Sequence, residues 1–150
     1  MRYAEEKLFP NLINEMLPLL ERHWQEVALC DAFGPVDIAE DAYRRAEEGG
    51  MLRIYTARRD DNALVGYAAY FVLPNLHYRS KPVAESDVFF LLPEERRGLA
   101  GLRLLQFADR SLTAEKVAVI INRVKVAHDC GRLFERMGYR QHEKLYLKVV

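Results

Sequence analysis

The stretch that decides the fold is residues 87–105, which read DVFFLLPEERRGLAGLRLL. Its first part, Asp87 to Leu92, is a strand-forming run that stops at Pro93, which has no backbone N–H to donate to a sheet. Beyond Gly98 the apolar residues recur at helical spacing. The stretch therefore predicts a buried strand, a tight turn and an amphipathic helix, in that order.

The turn at residues 96–101 has the composition of a phosphate site. Its small residues let backbone N–H groups approach a ligand closely, and the positive end of the helix dipole favours an anion at the same place. Arg96 and Arg97 add charged donors that suit phosphate. We predict a pyrophosphate site here. The alternative is that Gly98 and Gly101 only shape the turn, with both arginines in solvent.

Upstream, the sequence predicts one strand and two helices. Residues 1–6 are the strand, and apolar residues recur at helical spacing from Phe9 to Val27. The segment Phe33-Gly34-Pro35 then breaks the chain. Asp37 and Glu40 make a capping box for the second helix.

Four further strands are predicted around the central stretch. Leu52 to Ala57 and Leu64 to Leu73 are rich in strand formers, and the turn residues Asp60-Asp61-Asn62 between them indicate an antiparallel hairpin. Downstream, Val117 to Ile121 reads as a buried strand. Lys144 to Val150 alternates polar and apolar residues, as a final strand does.

With a short helix at residues 129–137, these elements predict an α+β fold of three layers. We expect a mixed, mostly antiparallel sheet of about six or seven strands, flanked by about four helices. At 150 residues, half of them hydrophobic, the chain matches one domain over residues 1–150. No repeat or linker divides it.

Composition excludes several classes of function. Basic and acidic residues both number 22, so no overall charge draws the chain to nucleic acid or to an anionic membrane. Cys30 and Cys130 lie too far apart for a CxxC metal or redox pair, and we expect no metal. We expect neither a signal peptide nor a membrane span. Charged residues precede any apolar run at the N-terminus, and no stretch approaches about 18 uninterrupted apolar residues. A cytoplasmic protein is expected.

The order of elements and residues 96–101 together resemble the GNAT superfamily of N-acetyltransferases. The pyrophosphate loop of that family reads Gln/Arg-x-x-Gly-x-Gly/Ala after the fourth strand, and here Arg96 fits the first position and Gly101 the last. Leu99 stands where the middle glycine is usual. Residues 87–105 look most like a bacteriophage and prophage-associated branch of the family.

A second resemblance lies at residues 131–139, which read GRLFERMGY. The segment is similar to the family's Ala-x-x-Leu-Tyr-x-x-x-Gly-Phe, which flanks the acceptor end of coenzyme A. Phe134 replaces the usual tyrosine, which commonly protonates the leaving thiolate. Water, Tyr139 or Cys130 is the alternative acid.

The resemblance implies an acyl-CoA-dependent N-acyltransferase of the EC 2.3.1 type. It would transfer an acetyl group from acetyl-CoA to a primary amine by direct attack in a ternary complex. In the family the fourth strand splays from the fifth, and the pantetheine arm fills the gap. The cofactor-binding residues implied here are Phe90, Leu91, Leu92, Arg96, Arg97, Gly98, Leu99, Ala100, Gly101, Leu102 and Phe134.

Two carboxylates at the start of the fourth strand are candidate catalytic bases. A lysine-like amine has a pKa near 10.4, so a base or a desolvated site must help it lose a proton. Asp87 and Glu85 are the nearest carboxylates that do so, directly or through water; the alternative is that they are solvated strand-entry charges. His77 and His128 are weaker candidates.

Four aromatic residues either line an acceptor pocket or belong to the core: Trp24, Tyr55, Tyr67 and Tyr78. Cys130 is disfavoured as a nucleophile, because His128 is two residues away and would not face it on a helix.

Two other functions compete with an active acetyltransferase. Because of Phe134, the first is a GNAT-like module that binds acyl-CoA with little or no turnover. The second is an open, doubly wound α/β domain that binds a nucleotide phosphate at the same helix start. The hairpin around residues 60–62 argues against the second, since such domains have mostly parallel strands. Exposed strand edges favour a homodimer.

Overall fold

The computed structural model describes residues 1–27 and 34–149, so Cys30, Phe33 and Val150 lie outside the described residues. In the described part the sheet has five strands in the order β1-β2-β3-β4-β5. Strands β1 to β4 pair antiparallel, and β4 pairs with β5 in parallel. The strands are β1 (Arg2–Glu6), β2 (Leu52–Arg58), β3 (Leu64–Leu73), β4 (Val83–Leu91) and β5 (Val119–Ile121).

Four α-helices flank this sheet in the described part of the chain, and the predicted fold class is confirmed. They are α1 (Ile13–Val27), α2 (Glu40–Glu48), α3 (Ala100–Ala114) and α4 (Gly131–Arg136). A π-helical turn, Leu8–Leu12, leads into α1, and short 3-10 turns cover Pro93–Glu95 and Val126–His128. The mostly antiparallel sheet rules out the doubly wound alternative.

The helices lie on opposite faces of the sheet. Neighbouring residues of a strand point to opposite faces. On β2, Tyr55 packs edge-on against Phe107 of α3, whereas Ile54 lies beside Met16 of α1 in one cavity wall. The result is three layers, with α1 and α2 on one face and α3 on the other.

Four details of the prediction are wrong. The described residues form five strands instead of about six or seven, and the strand predicted to be buried at residues 117–121 is β5, only three residues long and with Val119 50% exposed. The predicted capping box is absent, because α2 begins at Glu40 and its N-cap, Ala39, makes no side-chain hydrogen bond. Residues 144–149 form no strand and are exposed, Leu145 at 84% and Leu147 at 58%. Alternation alone does not make a strand, which needs a paired neighbour to satisfy its backbone groups.

The feature that positions the site is a change of pairing along β4. The parallel pairing with β5 covers only the first three residues of β4 and ends at Glu85, opposite Ile121. On the other side, β3 stays paired with β4 to Leu91. The register skips Asp87, because Ala69 pairs with Val88 while Tyr70 pairs with Ser86. Asp87 is thus the extra residue of a β-bulge, which bends a strand and re-aims a side chain.

Candidate active site

A cavity of about 430 Å³ opens where β4 and β5 diverge. This volume lies in the usual range for small-molecule sites. Its floor is residues 86–89 of β4 and the segment 122–125 that follows β5. Its other walls come from α1, from residues 36–39 and Tyr43, and from the start of α4.

The end of β4 presents backbone groups to this gap. Leu92 N–H donates to the carbonyl of Val65 at 2.9 Å, and the carbonyl of Phe90 lies close against Gly66 of β3. Because backbone groups alternate along a strand, Leu91 presents its own to the opposite edge. Of the three residues predicted to contact pantetheine through their backbone, Leu91 is therefore the one that faces the gap.

Asn122 lies across the gap from β4 and lines the cavity. Its Oδ1 accepts a hydrogen bond from the Tyr70 hydroxyl at 2.8 Å. Its Nδ2 is buried and meets no hydrogen-bond partner in the described part of the chain. Such a group is costly to bury unless a ligand or a water satisfies it. Asn122 is not predictable from the sequence, since a single Asn after a short strand carries no recognisable pattern.

The turn between β4 and α3 has the geometry expected of a phosphate loop. Gly98 has a φ of 110°, a backbone conformation that favours glycine. No side chain caps the N-terminus of α3, so the N–H groups of its first turn have no side-chain acceptor. A Cβ on Gly101 would only touch Phe89 and Leu91, at 3.6 and 3.8 Å. Arg97 is exposed beside this turn.

Arg96 is already engaged with the protein. Its Nε donates to the carbonyl of Leu91 at 2.8 Å, and its Nη2 pairs with Glu26 of α1 at 2.7 Å. A second ion pair, Arg22 with Glu94 at 3.2 Å, joins the same two segments. Arg96 thus fastens the turn to α1, in contrast to the free phosphate donor that its sequence position suggests.

Asp87 is brought to the cavity and Glu85 is not. The exposed Asp87 lines the cavity, and its Oδ2 accepts a hydrogen bond from the Tyr43 hydroxyl of α2 at 2.5 Å. Burial and the adjacent Asp87 carboxylate raise the pKa of Tyr43, so the phenol stays a donor. Glu85 instead pairs with Arg123 at 2.5 Å. The bulge separates the two carboxylates, and sequence spacing does not reveal it.

His23 of α1 was not predicted and is part of the site. Its ring stacks on Phe90 with centroids 4.9 Å apart, and its Nδ1 lies 3.2 Å from the Tyr67 hydroxyl. Burial lowers the pKa of His23 to about 4, aided by the Lys125 and Arg96 charges and opposed by Glu26. The ring is neutral at pH 7. The one sequence signal that could have identified His23 was its helical spacing from the apolar residues of α1.

The α4 side of the cavity carries Phe134, which is buried and lines it. Tyr139 packs edge-on against Phe134 and donates a hydrogen bond to Asp109 at 2.6 Å. Cys130 and His128 also line the cavity. Burial raises the pKa of the Cys130 thiol, which disfavours the thiolate that a nucleophile needs.

The other predicted side chains lie apart from one another. Trp24 lines the cavity and donates its indole N–H to the carbonyl of Gly34 at 3.1 Å. Tyr55 and Tyr67 are fully buried core residues. His77 and Tyr78 are exposed in the loop between β3 and β4.

Two features are absent from residues 1–27 and 34–149. No group of three or more His, Cys, Asp or Glu side chains there is arranged to hold a metal ion. No helix is long and apolar enough to span a membrane in the part of the chain that the structure describes.

The chain has no recognisable relative by sequence but a clear one by fold. No protein-family model matches it, and no curated protein matches its sequence. Among solved structures, it is similar to a ribosomal-protein-alanine N-acetyltransferase from Brucella melitensis biovar Abortus 2308, with a TM-score of 0.73 and 15% identity over 99% of both chains.

Two other solved structures give the same result. The aminoglycoside acetyltransferase meta-AAC0020, from an uncultured soil metagenomic sample, has a TM-score of 0.74 at 14% identity, over 99% of this chain and 96% of that one. An acetyltransferase from Trypanosoma brucei has a TM-score of 0.73 at 15% identity, over 99% of this chain and 100% of that one. At these identities the likeness establishes the fold alone, which this chain shares with these acetyltransferases.

Proposed function

We propose that this protein is an N-acetyltransferase that transfers the acetyl group of acetyl-CoA to a primary amine by direct attack in a ternary complex. The observation that carries the proposal is the edge of β4 beyond Glu85, which pairs with no strand in the described residues and lines the cavity at residues 86–89. The fold shared with known acetyltransferases supports it.

The residues present fit the cofactor in three places. The N–H groups of residues 98–102, with Arg97, suit the diphosphate, because they form an uncapped helix start with a neighbouring cation. The N–H of Leu91, and the buried Nδ2 of Asn122 that has no partner within the described residues, suit the amide-bearing pantetheine arm. Arg96 holds the turn in place through Leu91 and Glu26.

Bound acetyl-CoA supplies the acetyl thioester. Asp87 takes the proton of the attacking amine, directly or through one water, and Tyr43 holds the Asp87 carboxylate in position. The N–H of Leu91 is the donor for the negative charge that develops on the acetyl oxygen. Removing one such donor costs about 2.7–4 kcal/mol in other enzymes.

The proton for the leaving thiolate must come from a group other than Phe134. Tyr139 is committed to Asp109. Cys130 lines the cavity and stays protonated, because burial raises its pKa. We assign the role to Cys130 or to water. A thiolate is a fair leaving group, so a weak acid suffices.

The second candidate function, an acyl-CoA-binding module with little turnover, is favoured by one observation. Phe134 lines the cavity, and by the sequence resemblance it stands in place of the family's tyrosine; a phenyl ring donates no proton. The cytoplasmic location, the homodimer, the absence of nucleic-acid and membrane partners and the relationship to the phage-associated branch also stay predictions.

Two measurements test the function. In a thermal-shift assay, coenzyme A should raise the melting temperature more than ATP or NAD, since a ligand that binds only the folded state stabilises it. Gly101→Glu should abolish that shift, because a carboxylate would lie against the phosphates. Gly101→Ala, whose Cβ meets only ordinary contacts, is the matched control and should keep it. Equal affinity of both variants would refute the phosphate site.

Turnover is measured as thiol release from acetyl-CoA with a panel of amines. Thiol release that requires an amine would identify the protein as an acetyltransferase. Binding of coenzyme A, with no thiol release for any amine of the panel, would identify it as an acyl-CoA-binding module. Neither binding nor release contradicts both.

A further inference from the structure

We infer that the acceptor is a primary amine with a single positive charge on an apolar body, aliphatic or aromatic. The inference rests on the proposed function and names the substrate class of the same site. It is carried by the part of the cavity that lies away from the β4–β5 gap, here called the acceptor wall: Met16, Leu20, Trp24, Val36, Ile38, Ala39, Tyr43, Ile54 and Ala69.

The acceptor wall is built mainly of apolar side chains; its polar groups are the Tyr43 hydroxyl and, between Val36 and Ile38, the exposed Asp37. Met16, Leu20 and Trp24 are four residues apart, so they form one stripe of α1. Ile54 and Ala69 come from the sheet face opposite, at 2% and 1% exposure. An acceptor with an apolar body gains free energy here by leaving water, about 25 cal/mol per Å² of apolar surface buried.

One carboxylate lies beside this wall in position to anchor an ammonium. Asp87 reaches the cavity from the bulge, and Tyr43, itself a member of the acceptor wall, occupies its Oδ2. Its Oδ1 makes no hydrogen bond within the described residues. His23, which also lines the cavity, has a pKa lowered to about 4 by burial and is neutral near pH 7. The geometry offers an anchor for one positive charge.

The opposite side of the cavity carries two basic residues, of which Arg123 is paired with Glu85 and Lys125 is not paired with a carboxylate among the described residues. Arg123 and Lys125 line it, and Lys125 Nζ donates to the carbonyl of Val27 at 2.9 Å. A second or third ammonium of a polyamine or an aminoglycoside would face either these cations or the apolar wall. Burying an unpaired charge is costly, so such acceptors should bind weakly. Asp37, which is exposed, is the other carboxylate among the described lining residues.

Trp24 makes the inference directly measurable. It is the chain's sole tryptophan and belongs to the acceptor wall, so its fluorescence reports occupancy of that wall without any turnover. We would titrate the protein, with coenzyme A present and absent, with 2-phenylethylamine, hexylamine, phenylalanine, spermidine and kanamycin. The expected result is a dissociation constant at least tenfold lower for the first two than for spermidine and kanamycin.

A matched pair of variants tests the same wall. Leu20→Glu adds a carboxylate to it and should shift the preference toward spermidine by about tenfold, whereas Leu20→Met should leave the preference unchanged. Leu20 is half-buried. If Leu20→Glu fails to fold, Ala39→Glu, at an exposed position of the same wall, makes the same test.

The outcomes separate this inference from the proposed function. Tighter binding of spermidine or kanamycin, preference for phenylalanine over 2-phenylethylamine, or no fluorescence response to any amine would overturn the inference. Preferential binding of 2-phenylethylamine together with no thermal shift by coenzyme A would keep the substrate class and overturn the acetyltransferase.

Discussion

Arg58 and Arg96 both pair with a glutamate of α1, yet they lie in regions of opposite character. Arg58 is 4% exposed, and its five N–H donors are used by Glu6, Glu15 and the carbonyl of Asn62. Arg96, whose side chain is 44% exposed, pairs with Glu26 where the turn into α3 meets α1. We call the first the closed region, because the protein itself uses every donor of Arg58, and the second the open region, because solvent reaches Arg96.

The difference teaches where a ligand can bind in this fold. A second cavity of about 380 Å³ borders Arg58, but the guanidinium there has no donor left for a ligand. Around the gap between β4 and β5, by contrast, the edge of β4 beyond Glu85 pairs with no strand in the described residues, although Arg96 Nε occupies the Leu91 carbonyl there. The Nδ2 of Asn122 has no partner and no side chain caps α3 within the same residues. Unsatisfied groups beside a cavity indicate function, whereas a fully satisfied network indicates stability.

The largest expected effect is on turnover in the open region. Asp87→Asn should lower kcat by about 10²–10⁴-fold, because the amide cannot accept the amine's proton. Glu85→Gln is the matched control and should change kcat by less than about threefold, since Glu85 pairs with Arg123 and does not line the cavity. Steady-state kinetics with the best acceptor decides it. Equal losses in both variants would remove the special role of Asp87.

The next effect is on the stability of the closed region. Arg58→Met should lower the free energy of unfolding by about 2–3 kcal/mol, less than the 3–5 of a fully buried pair, since its glutamates are partly hydrated. Arg96→Met should cost less than about 1 kcal/mol, as exposed pairs do. Urea unfolding measures both. Equal losses would erase the distinction between the two arginines.

The pH dependence of the free energy of unfolding tests whether His23 is buried at the site. Its pKa is about 4 in the folded protein and about 6.5 when unfolded, so the unfolded chain binds more protons between these values. Stability should rise with pH across this window and be fully present above it. The slope should stay below about 1.4 kcal/mol per pH unit. His23→Gln should lose that component in unfolding curves from pH 4 to 7; an unchanged slope would mean that His23 is not buried.

The smallest effect concerns the two glutamates of α1. Glu26→Gln should tighten coenzyme A binding about two- to fivefold, because Arg96 loses a competing carboxylate beside the diphosphate. Glu15→Gln should leave that affinity unchanged and lower stability instead, since its partner is Arg58. Calorimetric titration measures the affinities. Weaker binding by Glu26→Gln would show that the Glu26–Arg96 pair organises the turn.

Local sequence signals predicted most of the elements. The hairpin was predictable because strand formers flank Asp60-Asp61-Asn62, and Asn62 does adopt a positive φ of 72°. The turn into α3 was predictable from its proline and glycines. The prediction of a final strand at residues 144–150 was wrong, because strand pairing depends on a neighbouring strand that alternation of polar and apolar residues does not specify.

The site was less predictable, for reasons that lie in tertiary structure. The bulge at Asp87 decides which carboxylate reaches the cavity, and it depends on the register between β3 and β4. His23 and Asn122 enter the site because distant elements pack on them, as Phe90 does on His23. The engagement of Arg96 by Glu26 joins residues 70 apart in the chain.

The most direct test of the central claim is a crystal structure with bound coenzyme A. We predict the pantetheine arm between the Leu91 edge of β4 and residues 122–125, with the diphosphate on the N–H groups of residues 98–102. Asn122 Nδ2 should then have a hydrogen-bond partner. Coenzyme A bound elsewhere, with the gap between β4 and β5 closed by the protein's own side chains, would contradict the account.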